Sequence, residues 1–400
     1  MNLLAFEFKK YLFKPYIIFL VLFCTLINLM GAYLSCAYYK QIYDHENFQK
    51  IYNRFLRGAL TEEKINFVIS ETKRLQKLTA DQTASRDYDP KTYTGNLYGD
   101  RFLFSLDIYP EVKYAVSYAY DNQRVVEKAS DNIEFFAAKN NLYERRKNEQ
   151  IVSIYRNRVI RDFYDLKGMK YFVFYDFSSL MILLLCVLII APVFIGEKET
   201  KMDQLTPSFK KGDVRLVWTK IIFTFTVVLF ISLWFSVCDL IGFSVIAPLD
   251  GFNAPVFAMK VFQFTPLNIR LYQYILLGFA LKTLGIGTLI SLVLLASRVF
   301  DRITYVFGSS AGVILITYLA QFVAKASFPF YELINPALLI KNRYLFMNYT
   351  AQNIFDYPVQ SVIVAVAANL TIIASVVALI ILASRNVCLP KRQIYMEAKA

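Results

Sequence analysis

Six stretches of this sequence stay apolar for so long that they decide what the chain can fold into. They run from Tyr16 to Ala37, Phe172 to Ile195, Ile221 to Ile246, Leu271 to Ala296, Ile303 to Phe322 and Val359 to Ala383. A helix rising ~1.5 Å per residue needs ~20 residues to cross ~30 Å of hydrocarbon, and inside lipid a helix satisfies its own backbone hydrogen bonds. Only 19% of the residues are charged and mean hydropathy is +0.39, outside the soluble norm of roughly a quarter charged. The expected fold class is an all-α polytopic membrane protein with six transmembrane helices. Lys9, Lys10 and Lys14 precede the first run as they would in a signal peptide. Its apolar core exceeds the ~7–15 residues of such a leader and no small-x-small cleavage site follows, so it reads as an uncleaved span.

An even number of spans puts both termini on one side, and the basic residues of the short loops say which. With the N-terminus cytoplasmic, fifteen Lys and Arg fall on inner segments and five on short outer loops. This orientation places residues 40–170 outside as a large extracytoplasmic domain, exempt from the loop rule by its length. The remaining expected units are an interfacial amphipathic helix at 1–14, a first transmembrane helix at 15–39, a five-helix region at 171–385 and a cytoplasmic tail at 386–400. The net charge of +13 follows topology rather than a groove, which argues against a nucleic-acid partner. The expected location is a plasma membrane, spanned several times.

The insert reads as mainly helical. From Val112 its apolar residues recur at steps of three and four, through Ala115, Ala119, Val126, Ala129, Ile133, Phe136 and Tyr143. This predicts one long amphipathic helix, or two meeting near Asn140 and Asn141. Packing against Ile51 to Leu78 is the plain expectation for that stripe. The stretch "DQTASRDYDPKTYTGNLYGDRF" gathers turn formers and is expected to be loop.

The motifs restrict the chemistry. The chain lacks a GxxxxGK[ST] loop and so a recognisable nucleotide site of its own. Gly308 to Gly312 spells GxSxG, but within an apolar run, and the one histidine, His45, lies in the insert; a serine hydrolase is not expected. Gly308 and Gly312 instead satisfy the small-xxx-small pattern of close helix packing. The five cysteines suggest neither a disulfide framework nor a metal site. Lys282 and Asp239 lie inside the fourth and third runs, where a charge costs ~2.5–3.5 kcal/mol on insertion scales and must face a partner or water. An ion pair between neighbouring helices and a place in a translocation path both satisfy that requirement.

Three local patterns carry a resemblance. "FEFKKYLFKP" is similar to an interfacial helix with an acid followed by basic residues. "GEKETKMDQLTPSFKKGDVRLVWTK", Gly196 to Lys220, resembles an acidic-led loop that leaves a second span and returns with a Lys at the third. "ELINPALLIKN" looks like an Asn-Pro segment forming short re-entrant helices. In this order they resemble the permease subunits of type-two ATP-binding-cassette (ABC) exporters. The resemblance implies a chain that is not itself an enzyme and binds no cofactor. It implies as partners an ABC ATPase subunit in two copies, holding ATP and Mg, and a second permease subunit, identical or not. It also implies that the 196–220 loop is a coupling element docking that ATPase through Glu197, Glu199, Lys201, Met202, Leu205, Thr206, Pro207 and Lys210. The competing expectation is a membrane-anchored sensor or scaffold that binds an extracellular ligand through residues 40–170.

Overall fold

In the computed structural model, residues 3–42, 45–80, 87–89, 93–199, 212–247, 249–323, 329 and 332–386 are described. Among them, six helices are long and apolar enough to cross a membrane: Pro15–Ala37, Lys167–Glu199, Val214–Ile246, Leu271–Val299, Ile303–Ala320 and Ser361–Ala383. Each coincides with one of the six apolar runs. Their outward surfaces remain apolar, with Phe19, Leu26, Met30, Leu315, Ile316 and Leu382 among the exposed side chains. That is the architecture of a multi-pass membrane protein.

The helical elements in chain order begin with α1 (Leu3–Glu7), which widens into a π turn over Phe8–Leu12, and α2 (Pro15–Ile42), the first span. The insert holds α3 (His45–Ile51), α4 (Glu62–Ala80), α5 (Leu97–Phe102), α6 (Tyr109–Ala138) and α7 (Leu142–Tyr155). α8 (Lys167–Phe174), α9 (Phe177–Ile190) and α10 (Pro192–Glu199) form the second span. It is broken near Pro192, which cannot donate to the preceding turn. α11 (Gly212–Ile246), α12 (Leu271–Val299) and α13 (Ile303–Val323) follow. Two short helices, α14 (Pro336–Ile340) and α15 (Arg343–Phe346), precede the last, α16 (Ser361–Asn386).

Strands qualify the all-α expectation only slightly. β1 (Gly58–Ala59) pairs antiparallel with β2 (Asp162–Phe163), joining the two ends of the insert. β3 (Ala351–Ile354) and β4 (Tyr357–Gln360) form a hairpin whose two turn residues, Phe355 and Asp356, both have positive φ. That is the backbone twist a tight two-residue hairpin requires.

Within the insert the chain reverses at Asn140, φ 54°, and Asn141 caps α7 by accepting from the Glu144 amide at 3.1 Å. Of the two expected forms, one long helix or two meeting near Asn140 and Asn141, the second is the one found. The long stripe is shared differently from expectation. Phe104, Ile108 and Val112 pack with Phe48, Ile51, Tyr52, Val68 and Leu75 in a core belonging to the insert. Further along, Tyr114, Ala115 and Tyr118 instead join Phe257, Met259 and Phe262 from the connection between α11 and α12. The Tyr118 and Phe257 rings stack at 5.1 Å. The expected loop also turns helical at α5, because the Asn96 side chain accepts from the amides of Tyr98 and Gly99 and so starts it.

Candidate functional site

Two polar constructions sit inside this apolar bundle. One lies at the end that carries residues 3–14, the other at the end that carries the insert.

At the first, the break at Pro192 frees backbone groups that must find partners. Ser297 of α12 supplies them: its hydroxyl donates to the Ala191 carbonyl at 2.7 Å and accepts from the Phe194 amide at 3.1 Å. Lys198 reaches the last carbonyls of α12, Arg298 at 2.7 Å and Phe300 at 2.9 Å, where a cation is favoured by the helix dipole. The loop between α10 and α11 is closed at its base. Lys220, with no exposed surface, donates to Val193 O at 2.8 Å and lies 2.5 Å from Glu197. Lys10 stands 3.6 Å from the same carboxylate and the Tyr11 hydroxyl donates to Val193 O at 3.3 Å. Glu7 is also buried beside them, and burial raises its carboxyl above the ordinary carboxylate range despite the charges of Lys220 and Lys10.

Of the expected docking residues, Glu197 is turned inward between Lys10 and Lys220. Glu199 is exposed. Lys201, Met202, Leu205, Thr206, Pro207 and Lys210 lie outside the described residues.

At the insert end, a cavity of about 310 Å³ opens among α9, α11, α12 and the α14–α15 turn. That volume is at the small end of small-molecule sites. Lys282 donates to the Ser178 hydroxyl at 2.7 Å, and the Asp239 carboxylate accepts from Asn28 at 2.5 Å while facing Ser178 and the Lys282 charge. The two charges, for which an ion pair and a place in a translocation path were both expected readings, are linked through a serine. Tyr175 fixes the arrangement by donating to Asn28 O at 2.6 Å, and Gly31 is required there, since an added Cβ would stand 2.8 Å from that hydroxyl.

A second charged pair completes the wall. Arg343 of α15 forks onto both oxygens of Asp176, at 2.6 and 2.5 Å. α15 is held in place by Asn342, which donates to Gly278 O at 3.1 Å and accepts from Tyr274. α14 begins at Asn335, whose side chain accepts from Ala337 N and donates to Thr317 O. It then lies so close to α12 that a Cβ on Gly285 would meet Pro336 O at 2.7 Å.

A Cβ added at Gly308 or Gly312 would meet nothing within 4 Å among the described residues. Among the described residues, no group of three His, Cys, Asp or Glu side chains offers a metal site. A second cavity, of about 340 Å³, lies where the insert meets the α11–α12 connection, lined by Phe48, Glu111, Asp165, Lys170 and Lys260 among others.

Sequence reasoning missed Asn28, Asp176, Ser178 and Arg343. Asn28 was findable as the one carboxamide of the first apolar run. Asp176 lies in, and Ser178 just after, a break between α8 and α9 that the continuous hydropathy of the second run conceals. Comparison with family models, with curated proteins and with solved structures finds no match.

Proposed function

We propose that this chain is the membrane-spanning subunit of an exporter driven by a separate ATPase, of the type-two ABC class that its sequence resembles. In this reading both termini are cytoplasmic, residues 40–170 face outward, and a second permease subunit completes the pathway in a bacterial plasma membrane. The observation that carries it is the lock at the base of the 196–220 loop. Glu197, Lys220, Lys10 and Tyr11 join α10, α11 and the N-terminal helix. A force applied to that loop therefore reaches the second and third spans together, and α10 passes it to the fourth through Ser297 and Lys198. A partner that closes on ATP can move membrane helices only through a contact of this stiffness. The charged cavity lies at the other end of the same three helices.

The decisive experiment replaces Met202 and Leu205 with Asp. The complex with the ATPase weakens and transport-linked hydrolysis falls, while yield of the membrane chain and nucleotide binding by the isolated ATPase stay unchanged. Co-purification at full yield with normal hydrolysis would discard the exporter reading. The membrane-anchored sensor would then come first, a reading favoured by the insert's own apolar core around Phe48, Tyr52 and Phe104.

A further inference from the structure

The cavity of about 340 Å³ at the seam is assembled from pieces of chain that meet only where the insert docks on the bundle. α3 and α6 contribute Phe48 and Glu111, α8 contributes Lys170, and the α11–α12 connection contributes Met259 and Lys260. Of its lining, Phe48, Phe163, Asp165, Ala258 and Met259 are buried, Lys170 and Lys260 are exposed, and the rest lie in between.

Five charged side chains line this space, and two of them are accounted for by neighbours. Asp165 accepts from Gln49 and from the Lys167 amide, the latter at 3.2 Å, and Lys167 stands 2.9 Å from Asp107. The side chains of Glu111, Lys170 and Lys260 make no hydrogen bond or ion pair with any described residue. Lys170 and Lys260 act on Glu111 only at longer range. Burial raises the Glu111 carboxyl above the ordinary carboxylate range against the pull of Lys167, Lys170 and Lys260, which marks an ionised group short of donors.

The arrangement is selective by sign at two points. An ammonium group beside Glu111 supplies the donor that this carboxylate lacks, and a carboxylate between the two lysines supplies the acceptor that they lack. A simple anion meets repulsion at Glu111, and a simple cation meets it at Lys170 and Lys260. A molecule carrying both charges a few bonds apart satisfies all three groups together. Phe48, Phe163 and Met259 leave an apolar wall for the rest of it, and the volume, at the small end of small-molecule sites, limits it to one or two residues' worth of atoms.

We infer that this cavity binds a small amino-carboxylate zwitterion, a free amino acid or a dipeptide, with its ammonium toward Glu111 and its carboxylate toward Lys170 and Lys260. Because both sides of the seam build the site, the bound molecule holds the insert against the α11–α12 connection. The inference goes beyond the exporter reading and does not depend on it, since binding is read without an ATPase.

The test uses the full chain in bilayer discs and isothermal titration calorimetry with the standard amino acids and glycyl-leucine. At least one of these probes should bind, and its affinity relative to the others separates an amino acid site from a dipeptide site. On the unaltered chain, the amide of the best binder, which lacks the carboxylate, and its deaminated acid, which lacks the ammonium, should each bind roughly tenfold more weakly. Glu111→Gln should make the zwitterion and the deaminated acid bind alike. Lys170→Gln combined with Lys260→Gln should make the zwitterion and the amide bind alike. Each variant is compared with itself, so a general loss of fold cannot imitate either result. Bound ligand should also slow hydrogen exchange over residues 160–170. Absence of binding by every probe up to ~10 mM, equal binding of the zwitterion and both analogues by the unaltered chain, or preferences that survive these substitutions would overturn the inference and leave the exporter reading where it stood.

Discussion

Lys220 and Glu197, at opposite ends of the segment that joins the second and third spans, meet at 2.5 Å in a place where Lys220 has no exposed surface. A buried ion pair of this kind is weak support for stability as a whole but costly to break from one side, because the survivor stays buried and unpaired. Lys220→Met should therefore destabilise the protein by ~3–5 kcal/mol, read as thermal unfolding in detergent. Adding Glu197→Gln should return at least ~1 kcal/mol of that loss, since coupled neighbours depart from additivity by this order. Losses that simply add would mean that Lys10 and Glu7, not Glu197, set the state of Lys220.

The relay at the insert end makes a different demand. Lys282→Met alone leaves Asp239 facing a neutral neighbour, whereas the double change with Asp239→Asn leaves no charge behind. The double variant should be the more stable or better assembled of the two. Ser178→Ala should cost ~1–3 kcal/mol by leaving a buried donor without its acceptor, and the cost should shrink in the Lys282→Met background. A Ser178→Ala effect of the same size in both backgrounds would show that the serine does not link the charges.

Much of the fold was legible because one physical demand dominates it. Six runs of ~20 apolar residues admit little else, and the positions of the six spans follow from length alone. The reversal at Asn140 and Asn141 was readable for a local reason, a left-handed residue followed by a cap. The candidate site was not readable in the same way. Asp239 and Lys282 stood out as charges in apolar runs, but Asn28, Ser178 and Arg343 come from three other segments, and proximity across a bundle leaves no trace in the local pattern. Glu197, expected among the residues that meet a partner, shows the same limit: nothing in the local pattern of a charged loop says that Lys220, beyond its far end, closes on it.

Arg343 tests how far shape matters beyond charge. Its guanidinium engages both oxygens of Asp176 at once, a fork that a lysine cannot reproduce. Arg343→Lys should keep the charge yet lower stability by ~1–2 kcal/mol and loosen α15, seen as faster hydrogen exchange over residues 342–347. Arg343→Lys with exchange unchanged would mean that Asn342 and its partners hold α15 without the fork.

The seam between the insert and the membrane-spanning bundle should respond to pH in the direction opposite to ordinary acid denaturation. Asp165 is almost wholly buried, and burial pushes its carboxyl from the usual 3.8 up to about 6, with Asp250 adding to the rise. The Lys167 amide and charge and the Gln49 side chain, which donates at 2.5 Å, oppose it only in part. Burial raises Asp107 and Glu111 as well, against the pull of Lys167. Between about 3.8 and about 6 the folded seam thus holds protons that the unfolded chain has released, so stability falls as pH rises through that window and levels off above it. A shift of this size corresponds to ~3 kcal/mol for Asp165, so the seam should be tighter at pH 5 than at pH 7.5. Hydrogen exchange over residues 160–170, corrected for intrinsic rates, should show greater protection at the lower pH, and Asp165→Asn should remove most of the difference. Protection that instead rises toward pH 7.5, or a slope that survives Asp165→Asn, would show that the carboxylate stays ionised there and that the lysines around it outweigh its burial.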